Sequence, residues 1–329
     1  MLQTSNEMLK GSASVAKKLM NSGFNVNSLR TNDLLRKNEW ERLDSALVRV
    51  ARENLVGVGD LKAKDLTFNV DNPLGVTRVE WETVSDFTPA EINMSGRTKT
   101  SKDRAEFTLV GTPLPIISKD FSIDVRTLEA SRRSGQALDT TQVELATRKV
   151  AESMESMLFN GVADIVMQGS NIKGYKTAPN RNVGTLTGDW ALIATTGEAI
   201  IGDILSMIDA LQQDNYDGPY MLYVPLAFYN KLLNDFKANS DKSILTRIKE
   251  IPMIEDVKIS RNLPSGASGQ VILAQMTSDV VDIIDGMAPT LVQWESEGGF
   301  VNNFKVMGIM APRMKSDANL QSGIAHYSV

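Results

Sequence analysis

Cysteine is absent from the 329 residues, and histidine occurs once, as His326. The first absence excludes disulfides, thiolate metal ligands and cysteine nucleophiles together. The second leaves any serine–histidine–aspartate relay dependent on the last few residues of the chain, where a histidine ordinarily serves surface or packing. There is no G-x-S-x-G elbow. The run Gly169-Ser170-Asn171-Ile172-Lys173-Gly174 has glycines and a lysine without the spacing of a phosphate-binding loop, and reads as a polar turn. Long apolar runs are also missing. No stretch reaches the ~18 residues of a membrane span, and MLQTSNEMLKGSASVAKKLM lacks the roughly 7–15 apolar residues of a secretory signal. Assembly in a cytoplasm with no membrane partner is the expectation. Nor is there a surplus of positive charge: 35 Lys and Arg face 40 Asp and Glu, a net charge of -5. That argues against a broadly basic nucleic-acid surface and leaves room for a local basic patch.

What is present is an ordinary soluble composition, 42% hydrophobic and 23% charged, in one large domain or two intimate ones. Residues 1–30 are polar and read as a flexible arm. Leu34, Leu35, Leu43, Leu47 and Val50 predict a helix over Asp33–Leu55, capped by Asn32 or Asp33 and ended by Gly57 and Gly59. The period then changes to two. Leu66, Phe68 and Val70 alternate with polar neighbours, as do Val79 and Trp81, then Ala105, Phe107 and Leu109, then Phe121, Ile123 and Val125. Between them Ser85–Arg104 is polar and broken by Pro89 and Gly96. So long a strand pair has little core of its own and calls for a partner surface.

A second helix is predicted over Thr141–Asn160. Thr141 and Glu144 have capping-box spacing, and Val143, Ala146, Val150, Met154, Met157 and Leu158 form the apolar stripe. Met154 and Met157 read as core filling. A third helix, Gly197–Gln213, has Thr195 and Glu198 as its capping box. Strand Tyr220–Val224 and helix Ala227–Phe236 follow. Short strands are expected at Val257–Ser260, Val271–Ala274, Val280–Ile284, Thr290–Trp294 and Asn303–Met310. The sum is an α+β fold.

Carboxylates were the remaining candidates for chemistry. Asp279, Asp282 and Asp285 match no calcium-loop spacing and read as solvated strand-edge groups. Glu295 and Glu297 would share a strand face, where a solvated edge outweighs an acid–base pair. No catalytic, cofactor-binding or metal-binding set is expected. The polar tip carries Arg97, Lys99, Lys102 and Arg104. Three readings are open: a solvated turn, a contact with nucleic-acid phosphates, or a contact with Glu80, Glu82, Asp86 or Glu91 of a neighbouring copy. Scarce aromatics disfavour base stacking, so of the last two, subunit contact is preferred. Arg132-Arg133 adds little to a nucleic-acid reading.

From Pro113 onward, PLPIISKDFSIDVRTLEASRRSGQALDTTQVELATRKVAESMESMLFNG, then GSNIKGY, then DGPYMLYVPLAFYNKL, resembles the major capsid proteins of tailed bacteriophages. More narrowly it is similar to the branch shared with encapsulins, the bacterial nanocompartment shells. The resemblance implies the Hong Kong 97-type fold. Residues 1–60 would be an N-terminal arm with a helix and 61–118 an extended loop lying across the adjacent subunit. Residues 119–194 would form a peripheral domain on a long spine helix, 195–299 an axial domain lining hexamers and pentamers, and 300–329 a return to the peripheral domain. It further implies no enzymatic activity and a place in the virion shell around double-stranded DNA. Portal, scaffolding or decoration proteins would be partners, with weak nonspecific contact to the packaged genome. The encapsulin alternative would enclose an enzyme cargo. The polar N-terminal lead favours the phage reading.

Overall fold

The computed structural model describes residues 37–85, 87–88, 92, 94, 102–134, 140–237, 241–297, 300–317 and 319–329. In chain order the elements are α1 (Lys37–Asn54), α2 (Gly57–Ala63), β1 (Thr67–Asn69), β2 (Arg78–Val84), β3 (Phe107–Pro113), β4 (Ile116–Asp124), α3 (Val125–Ser134) and α4 (Thr141–Asn160). There follow β5 (Val162–Met167), β6 (Ser170–Ile172), a 3-10 turn at Tyr175–Thr177, β7 (Asn182–Thr185), α5 (Gly197–Gln213), β8 (Tyr220–Val224), α6 (Leu226–Leu232) and α7 (Ile244–Lys249). Strands β9 (Ile254–Ile259), β10 (Gln270–Gln275), β11 (Val281–Ser296), β12 (Val301–Met314) and β13 (Ile324–Ser328) complete the α+β order. By contact the chain divides into two units.

The first unit comprises residues up to Thr77, Leu114–Val162 and Asp282–Arg313. Its sheet runs β1-β11-β12-β4. Helix α4 packs on β4 and carries α1 and α2 on its flank. The expected stripe is buried: Val143, Ala146, Val150, Met154, Met157 and Leu158. Gly308 of β12 leaves the space that the tip of Met154 fills. Phe121 and Phe304, opposite each other in the β4–β12 register, stack at 5.1 Å. The two strands expected at Val280–Ile284 and Thr290–Trp294 are one, β11, running through Pro289. The amide of Ile283 donates to the carbonyl of Leu66, the residue before β1, so alternation aims position 289 at the same edge. β1 pairs only with Ile283–Asp285, and a proline beyond it removes no bond to that strand.

Gly57 does not end a helix as expected; it begins α2. The N-cap of that helix is Val56, which has no capping side chain. Glu155 of α4 substitutes from across the core, accepting from the amides of Gly57 at 2.7 Å and Val58 at 3.3 Å. Only a glycine permits the approach, since a Cβ at Gly57 would lie 2.9 Å from Leu158 and 3.1 Å from Phe159. The Thr141–Glu144 capping box is not formed either. The N-cap is Thr140, whose hydroxyl donates to Glu144, and Glu144 also takes Arg49 at 2.8 Å. Helix α3 begins at Val125, where strand alternation had been expected to continue.

Asp282 is buried rather than solvated, with 4% of its surface exposed. Arg313 grips it through both guanidinium branches at 2.7 and 2.5 Å and lies 4.5 Å above the ring of Phe68. Asp285 pairs with Lys62 at 2.8 Å. Glu295 lies on β11, whereas Glu297 falls beyond it with φ 53°, so the two do not share a strand. No group of three or more potential ligands converges on a metal site among the described residues.

The second unit comprises Arg78–Pro113, Ala163–Val281 and Met314–Val329. Its mixed sheet runs β7-β13-β10-β8-β9. β8, between β10 and β9, is buried at every position, which explains its unbroken apolar sequence. The C-terminal strand β13 lies between β7 and β10, in a different unit from nearly all of β12. Helix α5 is capped by Thr196, which accepts from Ala199, one residue after the expected cap; Thr195 instead donates to the carbonyl of Asp189. Asp203 is buried on α5 and fully engaged by Trp190 at 2.8 Å, the Thr187 hydroxyl at 3.0 Å and the Thr187 amide. Helix α6 ends at Leu232, short of the expected Phe236.

Two buried groups give the units opposite responses to acid. In the first unit, burial pushes the Glu155 carboxyl up to about 7, against the pull of the Gly57 and Val58 amides and with help from Asp60. A raised folded value means that its contribution is full below the unfolded value near 4.5 and lost as pH rises through 7. In the second, burial holds the His326 imidazole down to about 4, with Arg181 and Lys176 adding to the fall. Its contribution is full above about 6.5 and lost as pH falls toward 4. Each window spans about 3 kcal/mol. The two slopes offset each other over the shared range, so urea unfolding between pH 4 and 8 should show an uncompensated acid decline in Glu155→Gln and an uncompensated alkaline decline in His326→Gln. Unchanged profiles would contradict these assignments.

Candidate functional site

The strands β2 and β3 form a two-stranded antiparallel ribbon from Arg78↔Pro113 to Val84↔Phe107. It continues one step further through the Ser85 amide to Glu106 at 2.9 Å, with the Ser85 hydroxyl accepting from the Glu106 amide. At about 3.3 Å per residue it extends about 26 Å. Farther out, the amide and hydroxyl of Thr88 both donate to Asp103 at 2.6 Å and hold its carboxyl below the usual range.

Directly paired residues share a face, so the register sorts the side chains. One face carries Val79, Trp81, Val110 and Thr112, and Val79 and Thr112 are buried. The other carries Glu80, Glu82, Val84, Phe107 and Leu109. There Val84 is 45%, Leu109 57% and Phe107 63% exposed, which is unusual for three neighbouring large apolar side chains. Phe87, Ile92 and Met94 prolong the exposed apolar surface toward the tip.

Of the eight residues expected at a subunit contact, Glu80 and Glu82 lie exposed on this second face, and Lys102 and Arg104 lie exposed on the approach to β3. Asp86, Glu91, Arg97 and Lys99 lie outside the described residues. Glu80 also has a partner within the ribbon, since Arg78 Nε stands 3.2 Å from its carboxylate.

The residue missed by sequence reasoning is Arg78 at the ribbon's root. It lies flat across Gly111 on the opposite strand, where a Cβ would fall 2.3 Å from its Nε. Its Nη1 donates to Gln168 in the turn between β5 and β6, and β6 packs against β3. That turn places Gln168 and Gly169 at φ 49° and 79°. The run 169–174, read from sequence as a polar turn, thus begins in the turn of a small hairpin and continues into its second strand, β6. A glycine inside an alternating run was the available signal, because it marks a close approach of another group to the backbone.

No helix among the described residues is long and apolar enough to cross a membrane. The sequence matches the family described as "Family of unknown function (DUF6260)" over residues 28–327. It is 27% identical over 244 residues to the type 1 encapsulin shell protein EncA of Myxococcus xanthus, covering 72% of this chain and 76% of that protein. It is 24% identical over 197 residues to a diheme-cytochrome-encapsulin shell fusion protein of Kuenenia stuttgartiensis, covering 59% of this chain and 49% of the fusion. Among solved structures, the virus-like particle of Pyrococcus furiosus is similar with a TM-score of 0.58 and 16% identity, over 87% of this chain and 98% of that one. The capsid of Myoviridae phage XM1 is similar with a TM-score of 0.62 and 11% identity, over 81% and 90%. Matched by the family over nearly its whole length and similar in fold to these shells, the chain belongs to the DUF6260 family and has the Hong Kong 97-type fold.

Proposed function

We propose that this chain is a shell subunit that self-assembles into hexamers and pentamers of an icosahedral particle, with no turnover of its own. The observation that carries the reading is the ribbon β2–β3, whose outer face leaves Val84, Phe107 and Leu109 exposed beside Glu80 and Glu82. A second copy is the partner that a repeated, self-complementary mixture of apolar and charged groups fits. Within the extended loop of residues 61–118, the reaching portion is the segment Arg78–Pro113, because β1 belongs to the sheet of the first unit. The tip charges of Lys102 and Arg104 then meet carboxylates of the neighbour. Residues 119–194 serve as the peripheral domain, 195–299 as the axial domain around the symmetry axes, and 300–329 return toward the periphery.

In the first reading the particle is a bacteriophage capsid enclosing double-stranded DNA, assembled in a bacterial host cytoplasm with portal and scaffolding or decoration proteins. With a net charge of -5, contact with the genome is weak, nonspecific and sensitive to salt. A second reading is favoured by the 27% identity to an encapsulin shell protein: a compartment around an enzyme cargo. Electron microscopy of the expressed protein tests the common core, with closed shells as the expected result and a strictly monomeric product as the overturning one. Particles from the native source separate the readings. Nuclease-protected DNA without protein cargo supports the capsid, and a cargo enzyme without genome supports the compartment.

A further inference from the structure

The second unit contains a cluster of cations with no acid among them. His326 on β13 stands opposite Ile272 of β10 and Val183 of β7, and Tyr223 of β8 continues the row. The chain over this face is the segment 174–181, where Tyr175 stacks on Tyr223 with ring centroids 5.8 Å apart. Arg181 donates through Nε to His326 Nδ1 at 3.3 Å and through Nη1 to the carbonyl of Ala178 at 3.2 Å. A guanidinium can only donate, so Nδ1 is the acceptor and the neutral imidazole carries its proton on Nε2. That Nε2 is buried and has no partner among the described residues, while the whole side chain is 8% exposed.

The flanking cations are unusual in the same way. Lys176 and Arg181 are half-buried, and burial alone depresses both. Neither makes an ion pair with a carboxylate among the described residues, and the charges acting on His326 are those of Arg181 and Lys176. Partly desolvated cations ordinarily have an anion beside them, because removing water from a lone charge is unfavourable. Here a guanidinium branch, an ammonium and an N–H donor share one neighbourhood with no counter-charge. This donor set suits a tetrahedral oxyanion, to which arginine offers planar paired donors and lysine a point charge.

We propose that Lys176, Arg181 and His326 form a binding site for a phosphate-type oxyanion, open to solvent through Lys176 and Arg181 and floored by the imidazole. The anion supplies the missing counter-charge and fixes the segment 174–181 on the sheet. Its source is either free inorganic phosphate or a nucleic-acid phosphodiester, which present the same oxygens.

Thermal melting of the full chain in sodium sulfate, at ionic strength matched with sodium chloride, tests the site. Sulfate is the probe because its charge stays constant across the pH range used. Saturable stabilisation is expected, about 2–4 °C at ten times the dissociation constant. The response should vanish in the double variant Lys176→Gln/Arg181→Gln and persist in Lys173→Gln, which removes an exposed neighbouring cation. It should also be stronger at pH 5 than at pH 7.5, since a bound anion favours the imidazolium, whose Nδ1 then gives up the bond from Arg181 and becomes a donor. A merely structural role for these cations would not produce that pH dependence. Circular dichroism checks that each variant is folded, and the single variants Lys176→Gln and Arg181→Gln replace the double one if it is not. Competition by a short DNA duplex assigns the site to phosphodiesters, and its absence assigns it to the free ion. No saturable shift, or a shift that survives loss of both cations, overturns the proposal.

Discussion

Shortening the Ser85–Arg104 segment is expected to leave a folded subunit that no longer closes shells. No residue described between 85 and 106 is buried, so the fold loses no core with it. What goes is reach. The ribbon is hydrogen-bonded through its whole length, yet its outer face is apolar and open. Covering the exposed parts of Val84, Phe107 and Leu109 on a neighbour is worth about 3–5 kcal/mol per copy. Summed over a closed particle, such a contact separates assembled from dispersed protein. Light scattering and electron microscopy read the assembly, and circular dichroism with thermal melting reads the fold. Normal particles from the shortened protein would count directly against the ribbon as an assembly element. An unfolded product would mean that the tip stabilises the subunit itself.

Asp282→Ala is expected to be the most damaging single substitution in the first unit, at about 3–5 kcal/mol. That is comparable to the whole stability of a marginal domain. The side chains of Asp282 and Arg313 are 6% and 9% exposed, so removing the carboxylate strands a guanidinium away from water. The ring of Phe68 softens this only in part. Urea unfolding gives the magnitude, and a double-mutant cycle with Arg313→Met separates pair energy from the penalty of an orphaned charge. Replacing both residues by apolar ones should restore much of the loss, because a buried pair adds little over good packing. A single-variant loss below about 1 kcal/mol would show that water reaches the pair.

The sequence made the α+β class and the principal helices readable where one face is apolar over several turns. α4 was bounded correctly because Val143 through Leu158 keep a continuous stripe and Gly161 ends it. α3 was missed because all its described side chains but that of Val125 are exposed and leave no stripe to find. Caps slipped by one residue at Thr140 and Thr196, since neighbouring threonines are equivalent until backbone dihedrals are known. Asp282 looked solvated because its partner is Arg313, 31 positions away. Glu155 was hidden for the same reason, with the amides it caps 97 and 98 positions distant. At the candidate site the charged residues of the ribbon were legible from composition. Its apolar face was not, because the sharing of one face by Val84, Phe107 and Leu109 depends on a cross-strand register.

The carboxyl of Glu155 and the imidazole of His326 also set an order of failure. Acid protonates Glu155 and firms the grip of α4 on α2, while the same protons work against the sheet that contains β13. Alkali reverses the ranking. The two titrations largely cancel in a global measurement, so total stability stays nearly level across the mildly acidic range while its distribution along the chain shifts. Limited proteolysis would reveal what a melting curve conceals. Cleavage should begin around the strands near His326 at pH 5 and around α2 at pH 8.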